Sequence, residues 1–240
     1  MKILALESAA LTASAAVCED GRLLGEGLLN NGHTHSETLL PMAVSLLGTL
    51  GLSADDVDLF AVSAGPGSFT GVRIGVATVK GLAFGRDKPC VGVSTLEALA
   101  CNLPVPGGLI CPVMNARRGQ VYTALFRGGE DGGLPPERLM PDSAIPIADL
   151  DAVLDRYGGP VWLCGDGCGL CADGLRHPVK LPPDRLRWPS AFSVAQAALA
   201  ACRAGAVTTA EALKPVYLRP CQAERERLAR ERAGAEVQPG

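Results

Sequence analysis

Apolar and polar positions divide the first hundred residues into short extended runs and amphipathic segments that alternate. Residues 2–6, 13–18 and 22–30 read as three strands, and Asp20-Gly21 between the second and third is a two-residue hairpin signal. Leu39, Met42, Leu46, Leu47 and Leu50 fall near a 3.6-residue period and predict a helix over 37–50. Thr34 and Glu37 have capping-box spacing at its start, Gly51 predicts its end, and Pro41 predicts a kink or a later start. A strand over 59–63, a helix over 70–86, a strand over 90–93 and a helix over 95–103, capped by Ser94, complete a βββαβαβα order.

The second half reads as a shortened echo. It has a strand pair at 109–114 and 120–127, a Gly/Pro-rich stretch over 128–141, a helix near 148–157, a strand at 161–164 and a helix near 193–203. Pattern alone therefore predicts an α/β protein of two subdomains, 1–103 and 104–218. A charged, apolar-poor tail over 219–240 is expected to be flexible.

The most informative stretch is AVSAGPGSFTGVRIGVATVKGLAFG at 61–85. Glycine in a helix costs about 0.8–1 kcal/mol against alanine, so Gly71, Gly75 and Gly81 need a compensating close approach. Arg73 and Lys80 are its only charges, and Val72, Ile74, Val76 and Val79 make the helix apolar nearly all round. Such a helix is either central to its own domain or half of an interface. The preceding loop, with Gly65, Gly67, Ser68, Thr70 and Gly71, is either a phosphate cradle at a helix N-terminus or a tight strand-to-helix turn. It lacks the ending of a P-loop, and Ser68 lacks the flanking glycines of a nucleophile elbow.

This stretch resembles the signature of the TsaB family of bacterial tRNA threonylcarbamoyladenosine biosynthesis proteins. KILAL at 2–6, HSETLLP at 35–41, GVSTLEALA at 92–100, ARRGQVYTALF at 116–126 and YLRPCQAER at 217–225 follow in the family's order, so the resemblance runs nearly end to end. It implies an actin-like (ribonuclease-H-like, ASKHA) fold of two subdomains, the second shortened. It also implies a non-catalytic scaffold or activator for a TsaD-type threonylcarbamoyl transferase, with a TsaE-type ATPase as further partner. In that scheme the partner proteins use ATP and Mg, nothing is tightly bound to this chain, and tRNA is met mainly through the complex. Pairing with TsaD, and homodimerisation, would use helices of the first subdomain, here through Leu39, Met42, Leu46, Gly71, Val72, Arg73, Gly75, Val76, Val79 and Lys80. Gly75→Leu or Val76→Glu would then abolish pairing and leave the fold intact.

Two departures from the family pattern bear on chemistry. Glu7-Ser8-Ala9 stands where an Asp-Thr-Ser type sequence is usual, which leaves at most a relic nucleotide or phosphate site built from Glu7, Ser8, Gly65, Gly67, Ser68, Thr70, Arg117 and Arg118. Asn115 replaces an aspartate just before Arg117 and Arg118, whose guanidiniums suit a phosphate or carboxylate or simply form an exposed turn.

Composition and charge narrow the alternatives. The formal net charge is −3, so the chain lacks the basic surface of a protein that grips tRNA alone. No apolar run approaches the ~18–20 residues of a membrane span, and nine cysteines without a secretory signal imply reduced thiols in the cytoplasm. Cys164, Cys168 and Cys171 have the C-x3-C-x2-C spacing of an iron–sulfur ligand set, which keeps a cluster or zinc protein open as an alternative. A free-standing actin-like ATPase or kinase is the other alternative. His33 and His35 share a face of an extended segment, and read as loop and cap residues or as two metal ligands.

Overall fold

Asp20 and Gly21 both take positive φ, and the chain reverses there into an antiparallel hairpin. The computed structural model describes residues 1–219. Strands β1 (Lys2–Glu7), β2 (Ala13–Glu19) and β3 (Arg22–Leu29) form a meander, followed by helix α1 (His35–Thr49). Strand β4 (Leu59–Gly65), helix α2 (Phe69–Ala83), strand β5 (Cys90–Ser94) and helix α3 (Thr95–Cys101) follow. The sheet order is β3-β2-β1-β4-β5, with β4 parallel to both β1 and β5.

The second half repeats this plan. Strands β6 (Leu109–Arg117), β7 (Gln120–Arg127) and β8 (Glu137–Pro146) make an antiparallel meander, and helix α4 (Leu150–Leu154) leads to strand β9 (Val161–Cys164). Helix α5 (Cys168–Ala172), strand β10 (Val179–Lys180) and helix α6 (Ala191–Arg203) complete the described elements. The order is β8-β7-β6-β9-β10, with β6, β9 and β10 parallel, so the two sheets share one topology. This duplicated plan is the actin-like fold.

Four details differ from the sequence expectation. α1 starts at His35 and carries Pro41 inside it, and Thr34 makes no side-chain cap. Gly51 does end it: its N–H and that of Leu52 donate to the carbonyls of Gly48 and Leu47. β8 lies where a Gly/Pro-rich loop is expected; it is an edge strand paired only with β7, a place where Pro141 and Pro146 are tolerated. α5 and β10 carry no periodic signal, being five and two residues long.

Both faces of the first sheet are covered. Alternation along β1 sends Leu4 and Leu6 toward α1 and α2, and Ile3 and Ala5 toward α6. Helix α6 thus comes from the second half of the sequence but packs on the first sheet, beside α3. After it, residues 207–219 run as a strap across the molecule. Thr208 pairs with Cys90 at the free edge of β5, Lys80 Nζ donates to the carbonyls of Glu211 and Leu213, and Val216 N–H donates to Ala64 O. Arg219 Nη1 finally donates to Ala116 O on β6, at 2.6 Å. Apart from Arg219, the charged tail expected from the sequence lies outside the described residues, as does Cys221.

Candidate functional site

The turns after β1 and after β6 face one another across a cleft of about 850 Å³ between the two sheets. Its first wall is Ala9–Leu11, His33, His35 and the residues Gly67–Thr70. Its second wall is Met114–Arg117, Tyr122 and Asp166, closed at one end by Tyr217 and Arg219 of the strap. Among the described residues Asp166 is the only carboxylate lining it, against the two guanidiniums of Arg117 and Arg219.

Internal duplication places Asp166. Gly65-Pro66-Gly67 leaves β4 and Gly165-Asp166-Gly167 leaves β9, and both first glycines have φ above +100°. The matching G-x-G triplets are the sequence signal that marks Asp166, and it is legible only once β4 and β9 are seen as equivalents. Asp166 Oδ1 accepts from Asn115 N–H at 3.0 Å, and burial pushes its carboxyl above the ordinary value. Asn115 uses its own Oδ1 to accept from Arg117 N–H at 2.8 Å. Arg117, Arg118 and Gly119 then all take positive φ to turn β6 into β7. Phe69 and Tyr217 stack at a centroid distance of 4.9 Å, and Arg73 lies 3.8 Å above Phe69 with Nε donating to Tyr217 Oη. Two of the three tyrosines of an aromatic-poor chain, Tyr122 and Tyr217, therefore line one cleft.

The residues expected from the sequence to form a relic phosphate site divide in the structure. Gly67, Ser68, Thr70 and Arg117 reach the cleft, whereas Glu7, Ser8, Gly65 and Arg118 are not among its lining residues. Glu7 is completely buried and turns back under its own loop, where Oε1 accepts from Ala9 N–H at 2.6 Å and Ser63 Oγ meets Oε2. Ser8 Oγ donates to Gly71 O, and Ser68 N–H donates to Ala9 O at 2.7 Å. A Cβ on Gly67 or Gly71 would stand 2.4 Å from Ala9 O or 2.0 Å from Ser8 O. The glycines of loop 65–71 thus permit contact with the 8–10 turn, and Ser68 caps α2 by accepting from Gly71 N–H.

Burial pushes the Glu7 carboxyl up from 4.5 to about 7, against the hydrogen bonds that favour its ionised form, those of Ser63 and Ala9 foremost. The unfolded chain loses this proton near 4.5, and the folded chain holds it to about 7. Stability is therefore undiminished by this group at low pH, falls as pH rises between those values, and is lower by about 3 kcal/mol above them. Glu7→Gln keeps both contacts without an ionisable proton. Urea melts should show the variant gaining on the parent from pH 5 to pH 8, and a pH-independent difference would contradict this account.

The partner-surface residues expected from the sequence divide sharply. Leu39, Gly71, Val72, Gly75, Val76 and Val79 are buried against the molecule's own first sheet, so they cannot form a surface. Met42 and Leu46 are half-buried over Gly27 and Gly25 of β3. Arg73 and Lys80 serve the strap. The outward faces of α1 and α2 carry other residues: Leu40, Val44 and Gly48 on α1, and Ala77, Gly81 and, just after the helix, Phe84 on α2. Val44 is 54% and Phe84 81% exposed, and an added Cβ at Gly48 or Gly81 meets nothing within 4 Å. Glu37, Arg73 and Lys80 are the only Asp, Glu, Lys or Arg residues of the two helices.

The metal alternatives find no support in side-chain placement. Cys168 and Cys171 are buried in the apolar cluster beneath β6 and β9, where burial pushes their thiols up to about 12 and about 11, whereas Cys164 is buried in the other core cluster with its Sγ donating to Leu99 O. His35 Nε2 bonds Ala10 O at the base of the cleft, and His33 is exposed. Among the described residues no group of three His, Cys, Asp or Glu is placed to hold a metal ion, and no helix is long and apolar enough to cross a membrane.

Residues 30–151 match the family described as TsaD, tRNA N6-adenosine threonylcarbamoyltransferase. The chain is 37% identical over 170 residues to the tRNA threonylcarbamoyladenosine biosynthesis protein TsaB of Bacillus subtilis, covering 71% of this chain and 73% of that one. It is 30% identical to the Escherichia coli protein of the same name over 91% of this chain and 95% of that one. A solved structure named YeaZ from Pseudomonas aeruginosa superposes with a TM-score of 0.76 at 29% identity, covering 90% of this chain and 99% of that one. A second, described as similar to peptidase YEAZ from the same organism, superposes at 0.79 with the same identity, over 91% and 99%. With matching sequence over most of its length and the duplicated sheet order of the fold, the chain belongs to the TsaB family.

Proposed function

We propose that this chain is a non-catalytic subunit in the formation of tRNA threonylcarbamoyladenosine, and that it acts by pairing with a TsaD-type transferase through the outer faces of α1 and α2. The observation that carries the reading is this two-helix layer, apolar through Leu40, Val44, Ala77 and Phe84 on its outward side with charges only at Glu37 and Arg73 near the helix starts, and bearing two glycines, Gly48 and Gly81, whose added Cβ would meet nothing among the described residues. A helical glycine without an internal neighbour costs stability and returns nothing to the monomer, whereas it lets a second helix pack closely. The partner's chemistry follows from the family match. Residues 30–151, which include α1 and α2, match the TsaD family, so the transferase carries a like layer and the two faces can pack around a pseudo-twofold axis. The same self-complementarity allows a homodimer on the same face, in competition with the heterodimer. A TsaE-type ATPase and tRNA are met by the assembled pair, in keeping with a net charge of −3 on this chain.

Activation in this scheme is a shift of population: the chain binds the competent form of the transferase more tightly than other forms. A drop-out reconstitution tests it. Transferase, TsaE-type ATPase, the synthase that supplies activated threonylcarbamate, tRNA, ATP, threonine and bicarbonate are combined with and without this chain, and the modified nucleoside is measured by mass spectrometry. Product formed equally well in its absence would overturn the proposal. Gly81→Ala gives a finer check. It should stabilise the isolated monomer by about 0.5–1 kcal/mol in urea melts, because nothing crowds the new methyl, while weakening pairing.

A further inference from the structure

We infer that the free edge of the second sheet is an RNA-binding surface, with Lys180, Arg185 and Arg187 on phosphates and Trp162 and Trp188 against bases. It rests on the proposed role in tRNA modification only for the identity of that RNA. None of its residues lines the cleft, and it belongs to the second sheet, whereas α1 and α2 cover the first. Residues 180–188 read KLPPDRLRW, three cations against one carboxylate in a chain whose net charge is −3. Among the described residues none of the three cations has a carboxylate partner within 4 Å. Asp184, the acid of this segment, holds an indole: its Oδ2 accepts from Trp188 Nε1 at 3.3 Å. Three unpaired cations in nine residues give this edge a local field opposite in sign to the chain's average.

The fold brings these side chains to one edge and fixes them there. Among the described residues strand β10 pairs only with β9, which leaves its other side open. Lys180 stands opposite Trp162 in that pairing, with Nζ 5.6 Å from the ring centroid, so cation and ring share a face of the sheet. Pro182 and Pro183 then lead the chain back to the end of β9, where Gly165 N–H donates to Arg187 O at 2.7 Å. Arg187 Nε donates to Pro182 O at 3.2 Å, which orients the guanidinium and leaves its two terminal nitrogens for a phosphate. Asn102 Nδ2 donates to Trp188 O at 2.7 Å and ties the second indole to the end of α3. Lys180 and Arg185 are exposed, and Arg187 and both indoles are half-buried, so the rings are held in place yet reachable. Flat rings beside unpaired cations suit a nucleic-acid strand, in which phosphates and bases alternate at short intervals. An acidic protein would engage the cations without needing the rings. A membrane surface would call for an apolar helix face, which this proline-containing turn lacks.

Trp162 and Trp188 are the chain's only two tryptophans, so the intrinsic fluorescence of the full chain reports on this surface directly. A short single-stranded oligoribonucleotide added at low salt should quench it. Salt should reverse the quench, with log affinity falling against log salt at a slope of about two for three phosphate contacts. Lys180→Gln combined with Arg185→Gln removes two exposed cations and should leave the melting curve unchanged while bringing that slope below about one. In the assembled pair with the transferase, anisotropy of labelled, unmodified tRNA should show the same double variant binding on the order of tenfold more weakly, with co-purification of the transferase unchanged. If the pair does not assemble, the proposed function falls, and the quench on the chain alone still decides this surface. The inference is overturned if the oligoribonucleotide leaves the fluorescence unchanged at low salt, if polyglutamate or anionic vesicles quench as strongly, or if the double variant keeps the parental salt dependence.

Discussion

Val44→Glu should yield a folded protein that, on the pairing proposed above, no longer binds the transferase. Val44 lies on the outward face of α1 with 54% of its surface exposed. Glutamate is a better helix former than valine, so urea melts should move by no more than about 0.5 kcal/mol. At the centre of an apolar, two-helix interface the same carboxylate must shed water without gaining a partner. Truncations at interface hot spots cost about 2 kcal/mol or more, and an unpaired charge there costs at least as much, so affinity should drop on the order of a hundredfold. Co-purification with the transferase and sedimentation of the homodimer both report the loss. Phe84→Glu, at the other end of the face, should act in the same direction. A Val44→Glu protein that still pairs at parental affinity would move the interface away from these helices.

Much of the fold was legible in the sequence because the signals there are local. Periodicity marks the strands and helices of the first hundred residues, and the β6–β7 pair and β9 are equally plain. What failed to show was either short or non-local. β8 contains two prolines that argue against a strand, and only its place at a sheet edge makes them acceptable. The strap has no periodicity, being fixed by backbone and side-chain contacts to residues more than a hundred positions away, such as Lys80 to Glu211 O and Arg219 to Ala116 O. The same limit explains the misplaced partner surface. A helix that is apolar all round announces burial without saying which side is covered by its own sheet. Val72, Val76, Val79, Gly71 and Gly75 carry the pattern but form the core, and the outward positions Ala77 and Gly81 carry no sequence signal that sets them apart. For the cleft, Arg117, Gly67, Ser68 and Thr70 were readable from motifs, whereas Asp166, Phe69, Tyr217 and Arg219 become a site only when the two halves are folded together.

Gly75→Leu and Val76→Glu, which the helix pattern alone would place in the partner surface, should instead cost the protein its fold. A Cβ at Gly75 stands 2.5 Å from Ser8 Oγ and 3.0 Å from Val62 Cγ2, before the rest of a leucine side chain is added. Neither neighbour can retreat: Ser8 is buried and bonded to Gly71 O, and Val62 is on β4, an interior strand held between β1 and β5. Overpacking in such a place costs about 3 kcal/mol or more, since α2 must lift from the sheet. Val76 is 4% exposed within the core cluster beneath the helix, and a glutamate there is a buried charge with no counterion, worth about 3–5 kcal/mol. Against a total stability of about 5–15 kcal/mol for a domain, either change populates unfolded chains at moderate temperature. Circular dichroism melts should show transitions lowered by many degrees, and the loss of pairing that accompanies them is secondary to unfolding. If Val76→Glu melts with the parent and only pairing is lost, then α2 presents its valine face outward and the packing of α2 on β4 is wrong.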